Sequence, residues 1–178
     1  MSLLNNNNIR LRALEPEDLD LLYKWENDTS LWQVGSTLSP YSRYILKEYI
    51  SESHRDLYEQ KQLRLMIERK SPRQTVGIID MYDFDPHSRK AGVGILIASG
   101  FQRKGFATQA LQLFMDYAFV YLKLNQLYAH IPVNNIASRE LFTHAGFSPS
   151  GRLAEWLSTP EGYTDVWLLQ CLRSKWVS

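Results

Sequence analysis

The sequence predicts a mixed α/β domain of the α+β kind, built on one sheet, and three observations carry that expectation. Three strand-like runs separated by turn signals occupy the middle of the chain; a long segment with helical period follows them; one strand, one short helix and two more strand runs then close the chain with no repeat or linker. A length of 178 residues suits a single domain over 1–178, with 1–8 expected as a flexible lead-in.

Ile9-Arg10-Leu11-Arg12 alternates as a short strand, and Glu15-Pro16-Glu17-Asp18 opens a helix running to about Trp25, with proline and acids in its first turn. Asn27 to Ser39 shows no clear period, and after Pro40 a second helix carries Tyr44, Ile45, Leu46, Tyr49 and Ile50. Leu63 to Glu68, Thr75 to Phe84 and Ala91 to Ala98 read as a meander, its turns at Lys70-Ser71-Pro72-Arg73 and Asp85-Pro86-His87-Ser88. From Gly105 onward Ala107, Ala110, Leu111, Phe114, Ala118 and Leu122 recur at spacings of three and four, which predicts an amphipathic helix. Leu127 to Val133 is the next strand and Asn135 to Ala145 a short helix, with Gly146 placed for a left-handed cap. Phe147 to Trp156 and Tyr163 to Leu172 complete the sheet.

Composition narrows the function. Hydrophobic residues at 44% and charged residues at 22% describe an ordinary globular protein, and twenty basic against nineteen acidic side chains lack the cationic excess that nucleic-acid binding draws on. The single cysteine, Cys171, cannot form an internal disulfide and reads as a buried thiol in a strand. His54, His87, His130 and His144 show no ligand spacing, so no metal is expected. Neither a signal-like start nor a bilayer-length apolar run is present, so the expected setting is the cytoplasm, without a membrane partner.

The chemistry is expected at the strand-to-helix junction Gln102-Arg103-Lys104-Gly105-Phe106-Ala107. Backbone N–H groups at a helix start suit a pyrophosphate, Gly105 permits close approach, Ala107 avoids crowding, and Arg103 and Lys104 reach from the rim. A tight turn alone would use the same glycine. The spacing is neither a dinucleotide fingerprint nor a nucleoside-triphosphate loop.

Gln-x-x-Gly-x-Ala after a strand and before a long helix resembles the acetyl-CoA signature of the N-acetyltransferase (GNAT) superfamily. Asn135-Ile136-Ala137-Ser138 followed by Leu141, Phe142, Gly146 and Phe147 resembles its second motif. Ile9 to Leu19, and Glu155 through Gly162-Tyr163-Thr164-Asp165, are similar to the branch that holds ribosomal-protein N-terminal acetyltransferases and spermidine acetyltransferases. The resemblance implies a mostly antiparallel sheet splayed between its fourth and fifth strands and an acetyl-CoA cosubstrate. Its pantetheine arm would lie along Gly94, Ile95, Leu96 and Ile97, its phosphates against Gln102 to Thr108. It implies an arm contact for Asn135, which is equally a good helix N-cap.

The same resemblance shapes the mechanism. Acetyl transfer to an amine needs a base near the nitrogen, donors for the developing oxyanion and a proton for the sulfur. Many relatives use a Tyr where this chain has Phe142, and a Glu where it has Gly92. The branch pattern instead puts Ser138 at the sulfur and Glu155 as base. Asp80, on the strand before Gly92, is a substitute for the missing Glu; an ordinary first-turn serine and plain solvated carboxylates are the alternatives. His130 stands beside the implied cleft as a proton-relay candidate. Glu26 and Trp32, with Trp25, Tyr41, Tyr44 and Asp28, are expected around the amine, although Trp25 also reads as a core aromatic. The acceptor is expected to be a peptide N-terminus or small amine, with a polyamine as the alternative and a non-catalytic acyl-CoA-binding module as the rival class. Assembly into a homo-oligomer is compatible with any of these. Asp80 and Asp83, three apart on a strand, can line one pocket only if a bulge intervenes.

Overall fold

The computed structural model describes residues 3–35 and 38–176. Strands form where aliphatic residues crowd the chain: β1 (Ile9–Arg12), β2 (Leu63–Lys70), β3 (Arg73–Asp85), β4 (Lys90–Ile97), β5 (Gln126–Pro132), β6 (Ser148–Thr159) and β7 (Gly162–Leu172). They make one sheet in the order β1-β2-β3-β4-β5-β7-β6, antiparallel at every step except β4 to β5.

Each face of the sheet buries its own set of side chains. Helix α1 (Leu19–Glu26) and helix α3 (Arg43–Glu52) bring Leu22, Trp25, Leu46 and Ile50 onto Met66 and Ile78. Helix α5 (Phe106–Asp116) and helix α6 (Ile136–His144) bring Leu111, Phe114 and Phe142 onto Ile79, Val93 and Leu127 on the other side. The alternation of β3 does this sorting, since Ile78 and Ile79 enter opposite cores. Phe114 is fully buried, and truncating such a ring costs about 3–5 kcal/mol.

Four local features depart from the sequence expectation. Two helices, α2 (Thr29–Gly35) and α4 (Leu57–Gln60), occupy segments without apolar period; Asp56 caps α4 by accepting from Tyr58 N–H at 2.6 Å, and Lys61 ends it at φ 57°. The long helix changes hand-hold at Asp116, where a π-helical turn over Tyr117–Tyr121 begins, closed by the Leu122 N–H on the Tyr117 carbonyl. Of the expected lead-in, Met1 and Ser2 lie outside the described residues, and Leu4, Asn6 and Asn8 are tied to the fold. Leu11 N–H donates to the Leu4 carbonyl, and the Asn6 and Asn8 amides donate to Gln109 on α5 at 3.2 and 3.1 Å. Finally, β3 carries a bulge after Tyr82, with Asp83 at φ 48°.

Beneath α1, a buried ionic cluster fixes β1 and β2. Glu68, 4% exposed, accepts from Arg10, Arg12 and Arg73, and Arg12 also forks onto Asp18. Burial pushes the Glu68 carboxyl up, but the hydrogen bonds from Arg10 and Arg12 together outweigh it and hold it below its ordinary value.

The feature that positions the site is the parting of β4 and β5. They pair at Lys90–Gln126, Ala91–Leu127 and Gly92–Tyr128 and no further, while β4 stays on β3 to Ile97 and β5 stays on β7 to Pro132. The sheet therefore opens into a V.

Candidate active site

Beyond Gly92 the side of β4 facing the V has no strand partner among the described residues, and Gly94, Ile95 and Leu96 line the gap ahead of Ile97. At the end of this wall the chain turns into α5. Gly105 is the N-cap at φ 77°, and a Cβ added there would meet only Gln109 Nε2 at 3.8 Å, so the space before the helix start is open. Gln102 Nε2 donates to the Ile97 carbonyl at 3.1 Å and braces the turn. Lys104 Nζ donates to the Gly100 carbonyl at 2.8 Å and lies over the Phe101 ring, while Arg103 is exposed at φ 59°. Phe106, Ala107 and Thr108 form the first turn of α5. An unpaired strand edge and an open helix N-terminus, one after the other, fit an amide-bearing arm followed by a pyrophosphate.

A cavity of about 480 Å³ runs through the V from one face of the sheet to the other. On the α6 side its wall includes Asn135, Ser138 and Phe142. Asn135 caps α6, its side-chain oxygen accepting from the Ser138 N–H at 3.1 Å, which sets the start of the helix and the place of Ser138. Phe142 is buried edge-on against Phe147, with ring centroids 5.0 Å apart.

On the α1 side the wall is aromatic and charged, with Trp25, Trp32, Tyr49 and Trp156 around Arg64, Glu26 and Asp80. Arg64 forks onto Asp80 through Nε and Nη2, both at 2.8 Å, and reaches Glu26 through Nη1 at 2.5 Å. Burial would lower the Arg64 pKa; its charge interaction and hydrogen bonds with Asp80, helped by Tyr49 and Glu26, more than reverse this, so the guanidinium stays charged. Two carboxylates share one cation, a local surplus of one negative charge. Trp32 Nε1 donates to the Glu26 carbonyl at 2.8 Å and thereby joins α2 to α1.

The mouth of the V holds a pair that spans three strands. The Tyr82 ring, on β3, lies across Gly92 of β4: a Cβ at Gly92 would stand 2.1 Å from Tyr82 Cε2. The Tyr82 hydroxyl thereby reaches His130 Nδ1 on β5, at 3.3 Å. Burial pushes the Tyr82 phenol well above its ordinary value, with Tyr128 adding to this. Desolvation lowers the His130 pKa, and Asp83 acts against it. The Trp156 ring is near-parallel to His130, with centroids 6.3 Å apart.

Several expected residues stand elsewhere. Glu155 sits on a bulge of β6 at φ 49°, exposed, its N–H donating to Asp165 at 2.8 Å; its neighbours Trp156 and Leu157 line the cavity and it does not. Asp28 accepts from Ser30 N–H and hydroxyl outside the wall, and Tyr41 and Tyr44 are exposed on the surface. The bulge required to bring Asp80 and Asp83 to one pocket is present, yet only Asp80 lines it. Asp80 and Glu26 are not free carboxylates, because Arg64 takes both. Cys171 is buried as expected, its thiol pushed up to about 11 by desolvation.

The sequence reading missed Arg64, Tyr49, Tyr82 and Trp156. For Tyr82 a signal existed, since it shares the face of Asp80 at strand period two, opposite the small Gly92 and Gly94. Arg64 gave none, because its partners lie on other elements.

A model of the acetyltransferase (GNAT) domain matches residues 8–148. The spermidine N(1)-acetyltransferase of Vibrio cholerae is 27% identical over 173 residues, covering 97% of this chain and 98% of that protein. The enzyme of the same name from Escherichia coli strain K12 is 28% identical over 145 residues, 82% of this chain and 75% of its own length. Among solved structures, spermidine N-acetyltransferase from Vibrio cholerae in complex with CoA and spermine superposes with a TM-score of 0.85 at 28% identity, over 96% of this chain and 98% of that one.

Proposed function

We propose that this chain, which belongs to the GNAT acetyltransferase family, acetylates small primary amines as a single domain in the cytoplasm. It is an acetyl-CoA-dependent N-acetyltransferase, and the acceptor is what its own residues must decide. The carrying observation is the cavity of about 480 Å³ that joins the unpaired β4 edge to an aromatic wall with one surplus carboxylate. A cationic amine gains from that wall through both charge and ring faces. The acyl group and the amine enter the V from opposite faces of the sheet and meet within it.

In this reading the pantetheine arm adds to the edge of Gly94 to Ile97, whose amides polarise the thioester carbonyl. The phosphates sit before Gly105, with Gln102, Arg103, Lys104, Phe106, Ala107 and Thr108 forming their cradle. Asn135 keeps its cap and turns its amide toward the arm. Ser138, in the first turn of α6, donates to the sulfur as negative charge develops there. Glu26, Trp32 and Asp80 surround the amine.

A polyamine acceptor is the second reading, favoured by the nearly full-length similarity to proteins named spermidine acetyltransferases. Arg64 weighs against a polycation, since it neutralises one of the two acids that would hold a second ammonium. Initial rates with acetyl-CoA over alkyl monoamines, diamines, spermidine and a peptide with a small first residue decide between them. Small amines are expected to give the highest kcat/KM; spermidine is expected to show a KM that rises with salt. A spermidine kcat/KM far above every monoamine would reverse the order, and turnover of the peptide alone would overturn both.

A further inference from the structure

We propose that His130, held by Tyr82 across Gly92, is the group that takes the proton from the acceptor ammonium. The proposal rests on the acetyltransfer reading and names a catalytic residue for it.

The base must lie on the face from which the amine enters, and β5 turns Tyr128 and His130 outward while Leu127, Ala129 and Ile131 are buried. On that face the imidazole lines the cavity together with Asp80, Tyr82 and Trp156. Ser138 approaches from α6, so acid and base stand at different walls of the V. Glu155 lines no part of it.

Tyr82 supplies the orientation. Its ring can cross β4 only because residue 92 has no Cβ, and its hydroxyl stands 3.3 Å from His130 Nδ1. Assigning the imidazole proton to Nδ1, shared with the Tyr82 oxygen, leaves the lone pair on Nε2. Above Gly92 lies the Tyr82 phenol, with His130 beyond it. Other groups facing the ring are Asp83 beyond the bulge, Tyr128 on its own strand, and Lys90 across a shallow groove that His130 also lines with Gln126 and Gln170. Deeper in the cavity stand Asp80, Glu26, Arg64 and Tyr49.

The protons balance as follows. One leaves the ammonium for His130 Nε2 and passes to solvent through that groove. The neutral nitrogen then attacks the thioester carbon; as the C–N bond forms and the C–S bond breaks, the second proton leaves the nitrogen and ends on the sulfur. Because desolvation keeps His130 below its ordinary 6.5, the base is free at neutral pH, and the acid limb of the rate profile falls below that value.

The test is a pH–rate series on wild type, His130→Gln, Tyr82→Phe and Glu155→Gln, with acetyl-CoA affinity measured in parallel. His130→Gln is expected to lower kcat about a hundredfold and flatten the acid limb, at unchanged acetyl-CoA affinity. Tyr82→Phe is expected to lower kcat about fivefold, the worth of one neutral hydrogen bond, and to move the limb. A wild-type profile in His130→Gln, or a limb that disappears in Glu155→Gln instead, overturns the proposal while acetyltransfer stands. Failure of wild type to acetylate any amine overturns both. An imidazole NMR titration reads the contact without turnover: a His130 pKa unmoved by Tyr82→Phe overturns the role given to Tyr82.

Discussion

The two halves of the cavity are made of different material. The half along β4, which leads on to the open start of α5 outside the cavity, is backbone: an unpaired edge and then a helix start capped by Gly105. The half under α1 is side chains, in which Glu26, Trp32, Arg64, Asp80, His130 and Trp156 come from six different elements to one wall. Backbone recognition depends on what is absent, a strand or a Cβ; side-chain recognition depends on what several distant positions supply together. Mutations should therefore separate cleanly, the first half failing in cosubstrate binding and the second in acceptor choice and proton transfer.

Arg64→Met is the strongest challenge to that division. It strands two carboxylates that are now paired, and removing one partner of such a cluster costs about 3–4 kcal/mol. Chemical denaturation should show this loss. If the protein still folds, acetyl-CoA affinity should be unchanged and the spermidine KM should fall. Weakened acetyl-CoA binding would show that the halves are coupled.

Gly105→Val is next, with an expected loss of about a hundredfold in acetyl-CoA affinity by calorimetry, or about 2.7 kcal/mol. The side chain would enter the open space before α5 at a left-handed position, where a β-branched residue is strained. Unchanged affinity in the folded variant removes the phosphate site.

Glu68→Gln lies outside both halves and should alter stability alone, by about 2 kcal/mol at neutral pH, the worth of a hydrogen bond to a charged group. The sign follows from the lowered carboxyl: its contribution is present above the ordinary 4.5 and is lost as pH falls through the lower folded value. The difference between wild type and variant in denaturant midpoint should accordingly shrink below pH 4.5. Any change in KM for either substrate would count against its separation from the cavity.

The smallest effect is expected from Gly92→Ala. The new methyl would overlap the Tyr82 ring and push it off His130, so kcat should drop about fivefold. Its pH profile should match that of Tyr82→Phe. A normal profile would show that Tyr82 does not orient His130.

The same contrast explains what the sequence disclosed. Strand order of appearance, the long helix, the cap at Asn135 and the turn at Gly105 were legible because each depends on residues within one turn or one period of each other. The splay was legible only through family resemblance. Helix α2 escaped because seven residues give too little period to register, and the Asn run was misread because its partner, Gln109, is a hundred positions away. Glu155 is expected as base through the branch resemblance alone; the bulge between Leu153 and Leu157, which spacing along β6 does not announce, leaves it exposed and off the cavity wall. Tyr82 and His130 meet across an intervening strand, a relation that spacing along the chain cannot express.

The open edge of β4 has a consequence for how the enzyme would be governed. If most of the grip falls on the arm and the phosphates, it falls on parts that CoA keeps after the acetyl group has gone. Substrate and spent carrier then compete for one strand edge on nearly equal terms. Product inhibition by CoA should show an inhibition constant near the dissociation constant of acetyl-CoA, and turnover in a cell would follow the ratio of the two rather than the level of either.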